Sequence, residues 1–186
     1  KLVIKPVETK DENGNTAYTS GRVNTQGKHD FTYGLFEASI KMPKGQGFLP
    51  AFWMMPTDEN LYGQWPRCGE IDIAEVLGND TGTTYGTIHY GNPHKESQGS
   101  YVLSEGDFAE EFHTYACEWN PGEIKWYVDG NLIHTANDWY SATEGLGEIT
   151  FPAPFDQPYY IIFNLAVGGN WPGNPDATTD IAGATY

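Results

Sequence analysis

Basic residues are scarce in this chain. Ten Lys and Arg stand against 25 Asp and Glu in 186 residues, a formal net charge of −15. Such a surface repels nucleic acid and anionic membranes, and it disfavours sulfated polymers for the same reason. A neutral ligand held by stacking and hydrogen bonds is compatible with it. Cysteine is nearly absent. Cys68 and Cys117 make neither a disulfide framework nor a metal pattern, and no His/Cys/Asp grouping has zinc spacing. The two thiols are read as buried, with a disulfide open only if their strands are neighbours. No apolar run is long enough to span a membrane. No signal-peptide pattern stands at Lys1, so the chain reads as mature or trimmed. Helical periodicity, internal repeats and low-complexity segments are also missing.

What is present points to strands. The chain has 22 Gly, 12 Pro and 15% aromatic residues, the composition of short strands separated by turns. Its length is that of one domain with a sizeable core. Phe36, Ala38, Ile40 and Met42 alternate with Glu37, Ser39 and Lys41, as a half-buried strand does. His113, Tyr115, Cys117 and Trp119 repeat the pattern. Ile124–Val128 and Leu132–Thr135 flank Asp129-Gly130, a strong hairpin signal. Residues 158–167 read as a long, mostly buried strand. Segments 11–16, 57–64, 91–99 and 139–147 read as loops. Many strands without helices argue for a sandwich.

The most informative stretch is Gly69-Glu70-Ile71-Asp72-Ile73-Ala74-Glu75. It places three carboxylates in six residues, interleaved with the filler of a buried strand. Buried carboxylates cost free energy unless their charge is used, and three together push at least one pKa up. A neutral acid beside an ionised carboxylate is the arrangement that acid and nucleophile chemistry on sugars needs. Strand alternation puts Glu70 and Asp72 on one face but aims Glu75 away. One extra residue, inserted as a β-bulge near Ile73-Ala74, brings Glu75 round to join them. The two Glu backbones would then lie roughly 13 Å apart, and inward-leaning side chains would close this to roughly 5–5.5 Å, the separation of a retaining pair.

These seven residues resemble the Glu-x-Asp-x-x-Glu signature of glycoside hydrolase family 16, nearest its laminarinase branch. Further blocks match in family order. They are Thr19–Thr25, Pro43–Gly47 with Pro50–Met55, Tyr85–Tyr90, Phe112–Ala116, Ile124–Gly130 and Asn164–Gly173. Branches of the family with a regular strand carry Glu-x-Asp-x-Glu instead. The resemblance implies an all-β fold, a β-jelly-roll sandwich of two antiparallel sheets (concanavalin A-like), with an open cleft on the concave sheet. Residues 1–186 would form a single catalytic domain, truncated at both ends, with Lys1–Lys5 resembling an internal family strand. The implied activity is retaining endo-hydrolysis of the neutral polysaccharide β-1,3-glucan, extending to mixed-linkage β-1,3-1,4-glucan. A non-catalytic glucan-binding protein, a transglycosylase and agarase-type specificity remain alternatives on the same scaffold. The implied state is a monomer, secreted or periplasmic. No cofactor is required. A structural calcium is allowed by the resemblance but is assigned no ligands, and no metal site is assigned.

Residue roles follow from the matching positions. Glu70 would be the nucleophile and Glu75 the general acid/base, with Asp72 sharing a proton or hydrogen bond with Glu70. Trp65, five residues before Glu70, and Trp171, in a Gly-rich turn at the cleft rim, would stack on sugar faces. Arg22, Trp53, His89 and Asn164 complete the candidate substrate-binding set. Trp126 reads as core and Trp119 as packed beside the cleft, while Trp139 has no assigned role. His113 and His134 read as structural, and His29 and His94 as exposed.

Overall fold

The computed structural model describes residues 1–143 and 147–186 and contains only strands, turns and irregular segments there. The strands in chain order are β1 (Val7–Lys10), β2 (Thr16–Thr19), β3 (Arg22–Asn24), β4 (Asp30–Phe31) and β5 (Gly34–Ile40). They continue with β6 (Phe48–Pro56), β7 (Glu70–Leu77), β8 (Asp80–Tyr90), β9 (Lys95–Val102) and β10 (His113–Asn120). The last are β11 (Glu123–Val128), β12 (Asn131–Ala136), β13 (Ser141–Thr143), β14 (Gly147–Ile149) and β15 (Tyr159–Val167).

Two antiparallel sheets form the expected sandwich. The larger has the order β3-β15-β6-β7-β8-β9, with β4 also on β15, and the smaller the order β12-β11-β10-β5. Their facing sides make the core. Phe36, Tyr115, Trp119 and Trp126 of the small sheet pack against Phe52, Ile71, Ile88 and Tyr159 of the large one. Each such side chain contributes roughly 1.5–3 kcal/mol of burial. The β11–β12 hairpin turns at Asp129 and Gly130, whose φ angles of 49° and 76° are the left-handed pair that a two-residue hairpin requires.

Gly86, on β8, shows how closely the sheets approach under the centre of the large sheet. A Cβ there would lie 2.4 Å from Cδ1 of Trp126, so only glycine lets the indole sit against the strand. That indole donates from Nε1 to the backbone oxygen of Asp72 at 2.8 Å. The small sheet thereby fixes the strand that carries the three acids.

Several expectations are corrected. Residues 95–99, read as loop, belong to β9, and only the tip of the β8–β9 hairpin is irregular. The segment 139–147 holds β13 and the start of β14, and its residues 144–146 lie outside the described residues. Lys1–Lys5 is not a strand. Ile4 instead exchanges a single pair of backbone hydrogen bonds with Tyr186, 2.7 and 2.9 Å, while Leu2 and Val3 are exposed. Trp119 lies beneath the large sheet rather than beside the cleft: it is fully buried on β10 and donates to the Phe155 oxygen at 3.1 Å. Trp139 is a core residue as well.

Candidate active site on the open sheet

The three acids meet through the bulge expected from their spacing. On β6, Trp53 faces Asp72 and Phe52 faces Ala74, which leaves Ile73 without a partner. On β8, Thr87 faces Asp72 and Tyr85 faces Glu75, so three residues of β7 span two of its neighbour. Ile73 and Ala74 both enter the core, and Glu75 returns to the face of Glu70 and Asp72. Gly69 sets the entry to the strand. Its φ is 85°, and a Cβ there would meet the Tyr159 hydroxyl at 2.4 Å.

Burial and mutual repulsion divide the protons among the acids. Asp72 is only 2% exposed. Burial first, then the charges of Glu70 and Glu75, hold its carboxyl well above the usual range, and in its neutral form it hydrogen-bonds Glu70. Trp65 donates from Nε1 to Oε2 of Glu70 at 2.7 Å. Glu70 is thus an acceptor from two sides. Glu75 is pushed up to about 7, mainly by burial and then by the charges of Glu70 and Glu96. A carboxylic acid that keeps much of its proton near neutrality stands on the same face as a hydrogen-bonded carboxylate.

His89 lies directly across from Glu70 on β8. Burial depresses its pKa despite the charges of Glu70 and Glu96, which favours the neutral imidazole. Its Nε2 is 3.2 Å from Oδ2 of Asp72, and its Nδ1 is 3.0 Å from Nε2 of His94. Trp65, 48% exposed, packs near both rings, at 6.1 Å from His89 and 5.2 Å from His94. Trp171, 45% exposed, meets the ring of Tyr85 edge-on at 5.3 Å. Because Tyr85 faces Glu75 and His89 faces Glu70, the two exposed indoles mark opposite ends of the acid row.

Arg22, Trp53 and Asn164 form a third group. The Arg22 guanidinium sits 4.7 Å over the Trp53 ring, and Trp53 Nε1 donates to Asn164 Oδ1 at 2.6 Å. All three line a depression of about 320 Å³ with Tyr18, Thr19 and Ser20. A larger concavity, about 730 Å³, lies between Leu2, Ala38, Ile40, Phe112 and Tyr186 and contains none of the predicted site residues.

All nine predicted residues therefore lie on the large sheet or on the segments beside it: Trp65, Glu70, Asp72 and His89 are in contact, as are Arg22, Trp53 and Asn164, while Trp171 meets Tyr85, the strand partner of Glu75. Sequence reasoning missed Tyr85, His94 and Glu96. Tyr85 was readable as a same-face neighbour of His89 two pleats away, but His94 and Glu96 depend on the hairpin returning. His134 is structural as expected, bonded to Ser97 and tilted over Trp126. Cys68 and Cys117 are free and buried, and burial pushes both thiols up, Cys68 to about 12.

Among the described residues, two groups could share an ion: His89, His94 and Glu96, and Glu70, Asp72 and His89. Both contain imidazole, and neither offers the all-oxygen cage that calcium takes. These residues do not fit a structural calcium. The His89 group is a juxtaposition that spacing along the sequence does not reveal.

Carboxylates on one face beside exposed indoles are an arrangement that chemistry on sugars uses. The family "Glycosyl hydrolases family 16" matches residues 6–183, and the chain belongs to it. A curated relative, glucan endo-1,3-beta-glucosidase A1 of Niallia circulans, is 42% identical over 169 residues, covering 88% of this chain. The chain spans only 24% of that relative's length. Among solved structures, the endo-beta-1,3-glucanase of Pyrococcus furiosus is 42% identical with a TM-score of 0.79, over 98% of this chain and 70% of that one. The laminarinase of Rhodothermus marinus is 36% identical with a TM-score of 0.81, over 98% and 72%.

Proposed function

We propose that the chain hydrolyses β-1,3-glucan internally and with retention of anomeric configuration, mixed-linkage β-1,3-1,4-glucan being a further substrate. The observation that carries this reading is the bulged row Glu70–Asp72–Glu75, with a hydrogen-bonded carboxylate at one end and an acid of pKa about 7 at the other. Glu70 attacks the anomeric carbon as the glycosidic bond breaks, and Glu75 gives its proton to the departing oxygen. Glu75 then removes a proton from the water that attacks the same carbon, and the bond to Glu70 breaks. Neutral Asp72 donates to Glu70 and keeps a third charge out of the row. The names of the relatives support β-1,3-glucan, and the net charge of −15 supports a neutral polymer over a sulfated one. Action outside the cytoplasm by a monomeric enzyme is part of the same proposal.

The test is release of reducing ends from laminarin, lichenan, agarose and carrageenan in parallel, with Glu70→Gln as control. Laminarin should be cut fastest, carrageenan least, and Glu70→Gln should be inert. Early NMR of the products should show the β-anomer first. Preferred cleavage of carrageenan, initial α-anomer, or activity in Glu70→Gln above about a hundredth of wild type would overturn the reading.

A further inference from the structure

We infer that His89, His94 and Glu96 form a binding site for a divalent transition metal of the zinc type, and that its occupation shuts down the neighbouring acids. The hairpin of β8 and β9 builds the site. Register places Glu96 opposite His89, and the turn between them brings the His94 ring to 5.2 Å from that of His89. His89 Nδ1 lies 3.0 Å from His94 Nε2 and 3.5 Å from Glu96 Oε2, and all three ligand atoms are within 4.8 Å of one another. A tetrahedral ion with bonds of about 2.0–2.2 Å holds its ligand atoms roughly 3.3–3.6 Å apart, so small side-chain adjustments would seat it. Two imidazoles and one carboxylate, with a fourth position open to water, are a donor set that zinc accepts and calcium does not.

A second observation comes from beneath the site. Oδ2 of Asp72 is buried without a hydrogen bond of good geometry, yet it lies 3.2 Å from His89 Nε2. Metal on Nδ1 of His89 forces the remaining proton onto Nε2, where it points at that oxygen. This is the carboxylate–histidine–metal relay that orients most ligating histidines. The same relay joins the ion to the acid row. An ion there fixes the ring of His89, which stands directly across from Glu70 and against Asp72, and so constrains the geometry of the acid row. It also occupies the space beside Trp65, whose ring is 5.2 Å from that of His94.

The test is titration of the whole chain with zinc chloride by calorimetry, and with cobalt(II) by visible absorption. One ion should bind per chain, with the intense absorption of tetrahedral cobalt. His94→Ala and Glu96→Gln should each weaken binding at least about tenfold. Both side chains lie on the hairpin and outside the core, so near-UV circular dichroism of the variants should match wild type. His29→Ala, at a remote exposed histidine, should bind as wild type does. Unchanged affinity in both hairpin variants would overturn the site. So would loss of binding in Glu70→Gln with retention in His94→Ala, which would place the ion in the acid row. The inhibitory consequence rests on the proposed glucan hydrolysis, whereas the binding titration reads without it. Zinc should lower laminarin turnover about tenfold or more, reversed by chelator and blunted in His94→Ala. Saturating zinc with undiminished turnover would overturn the coupling to the acids.

Discussion

Replacing Glu75 by Gln should make the protein more stable, and only where the carboxyl would be charged. The fold raises the Glu75 pKa from 4.5 to about 7, so it binds that proton more tightly than the unfolded chain does. The sign follows from linkage. Below about pH 4.5 the group is neutral in both states and costs nothing. As pH rises towards 7 the unfolded chain ionises first, and stability is lost until the folded state ionises too. Above 7 the full cost is present. Two and a half units at 1.36 kcal/mol each give about 3 kcal/mol. Glu75 keeps part of its surface in contact with solvent, so this is an upper bound. Gln keeps the shape and carries no charge. In a chain of 186 residues each kcal/mol moves Tm by about 2–4 °C, so the variant should melt up to roughly 6–12 °C above wild type at pH 8. At pH 4 the two curves should coincide. Scanning calorimetry from pH 4 to 9 reads the difference directly. A gap that does not change with pH, or a Gln variant that melts lower at pH 8, would refute the placement of the strained proton on Glu75. Loss of hydrolysis with gain of stability is what a functional acid under strain should show.

Three further outcomes are expected. With Glu75 as the proton donor, kcat/KM for laminarin should fall about tenfold per pH unit above about 7, and a rate that stays flat to pH 9 would assign the acid elsewhere. Gly86→Ala should cost roughly 1–3 kcal/mol in urea unfolding, because the new methyl group and the Trp126 indole cannot share the space 2.4 Å apart. Trp65→Ala should lower kcat/KM for laminarin about 5- to 150-fold, from roughly 1–3 kcal/mol of lost stacking, and should lower kcat as well because Glu70 loses a donor; unaltered kinetics would remove Trp65 from the cleft.

The parts of the molecule that were legible in the sequence carry local signals. The spacing of Glu70, Asp72 and Glu75 against strand alternation predicted an extra residue, and Ile73 is that residue. Asp129-Gly130 and the flanking apolar alternation located the β11–β12 hairpin, and the apolar run from Tyr159 to Val167 located β15. Strand β9 was invisible for a physical reason. Lys95-Glu96-Ser97-Gln98-Gly99-Ser100 is polar throughout, since β9 is an edge strand exposed along most of its length, and no apolar period marks it. With β9 unseen, the return of His94 and Glu96 onto His89 could not be inferred. Trp139 illustrates the opposite failure: polar neighbours suggested no packing role, but Phe151 and Phe155, distant in sequence, close over it.

Ile73 carries one more implication. Pleated strands sort side chains by odd and even positions, and a lost or gained codon ordinarily turns every later side chain over. Here the protein already holds one residue that the tally omits, with Ile73 and Ala74 sharing the inward side. Remove one of the two, and Glu-x-Asp-x-x-Glu becomes Glu-x-Asp-x-Glu, with all three acids still outward and Val76 still inward. The strand is a place where a gene can change length in frame while the chemistry keeps its address.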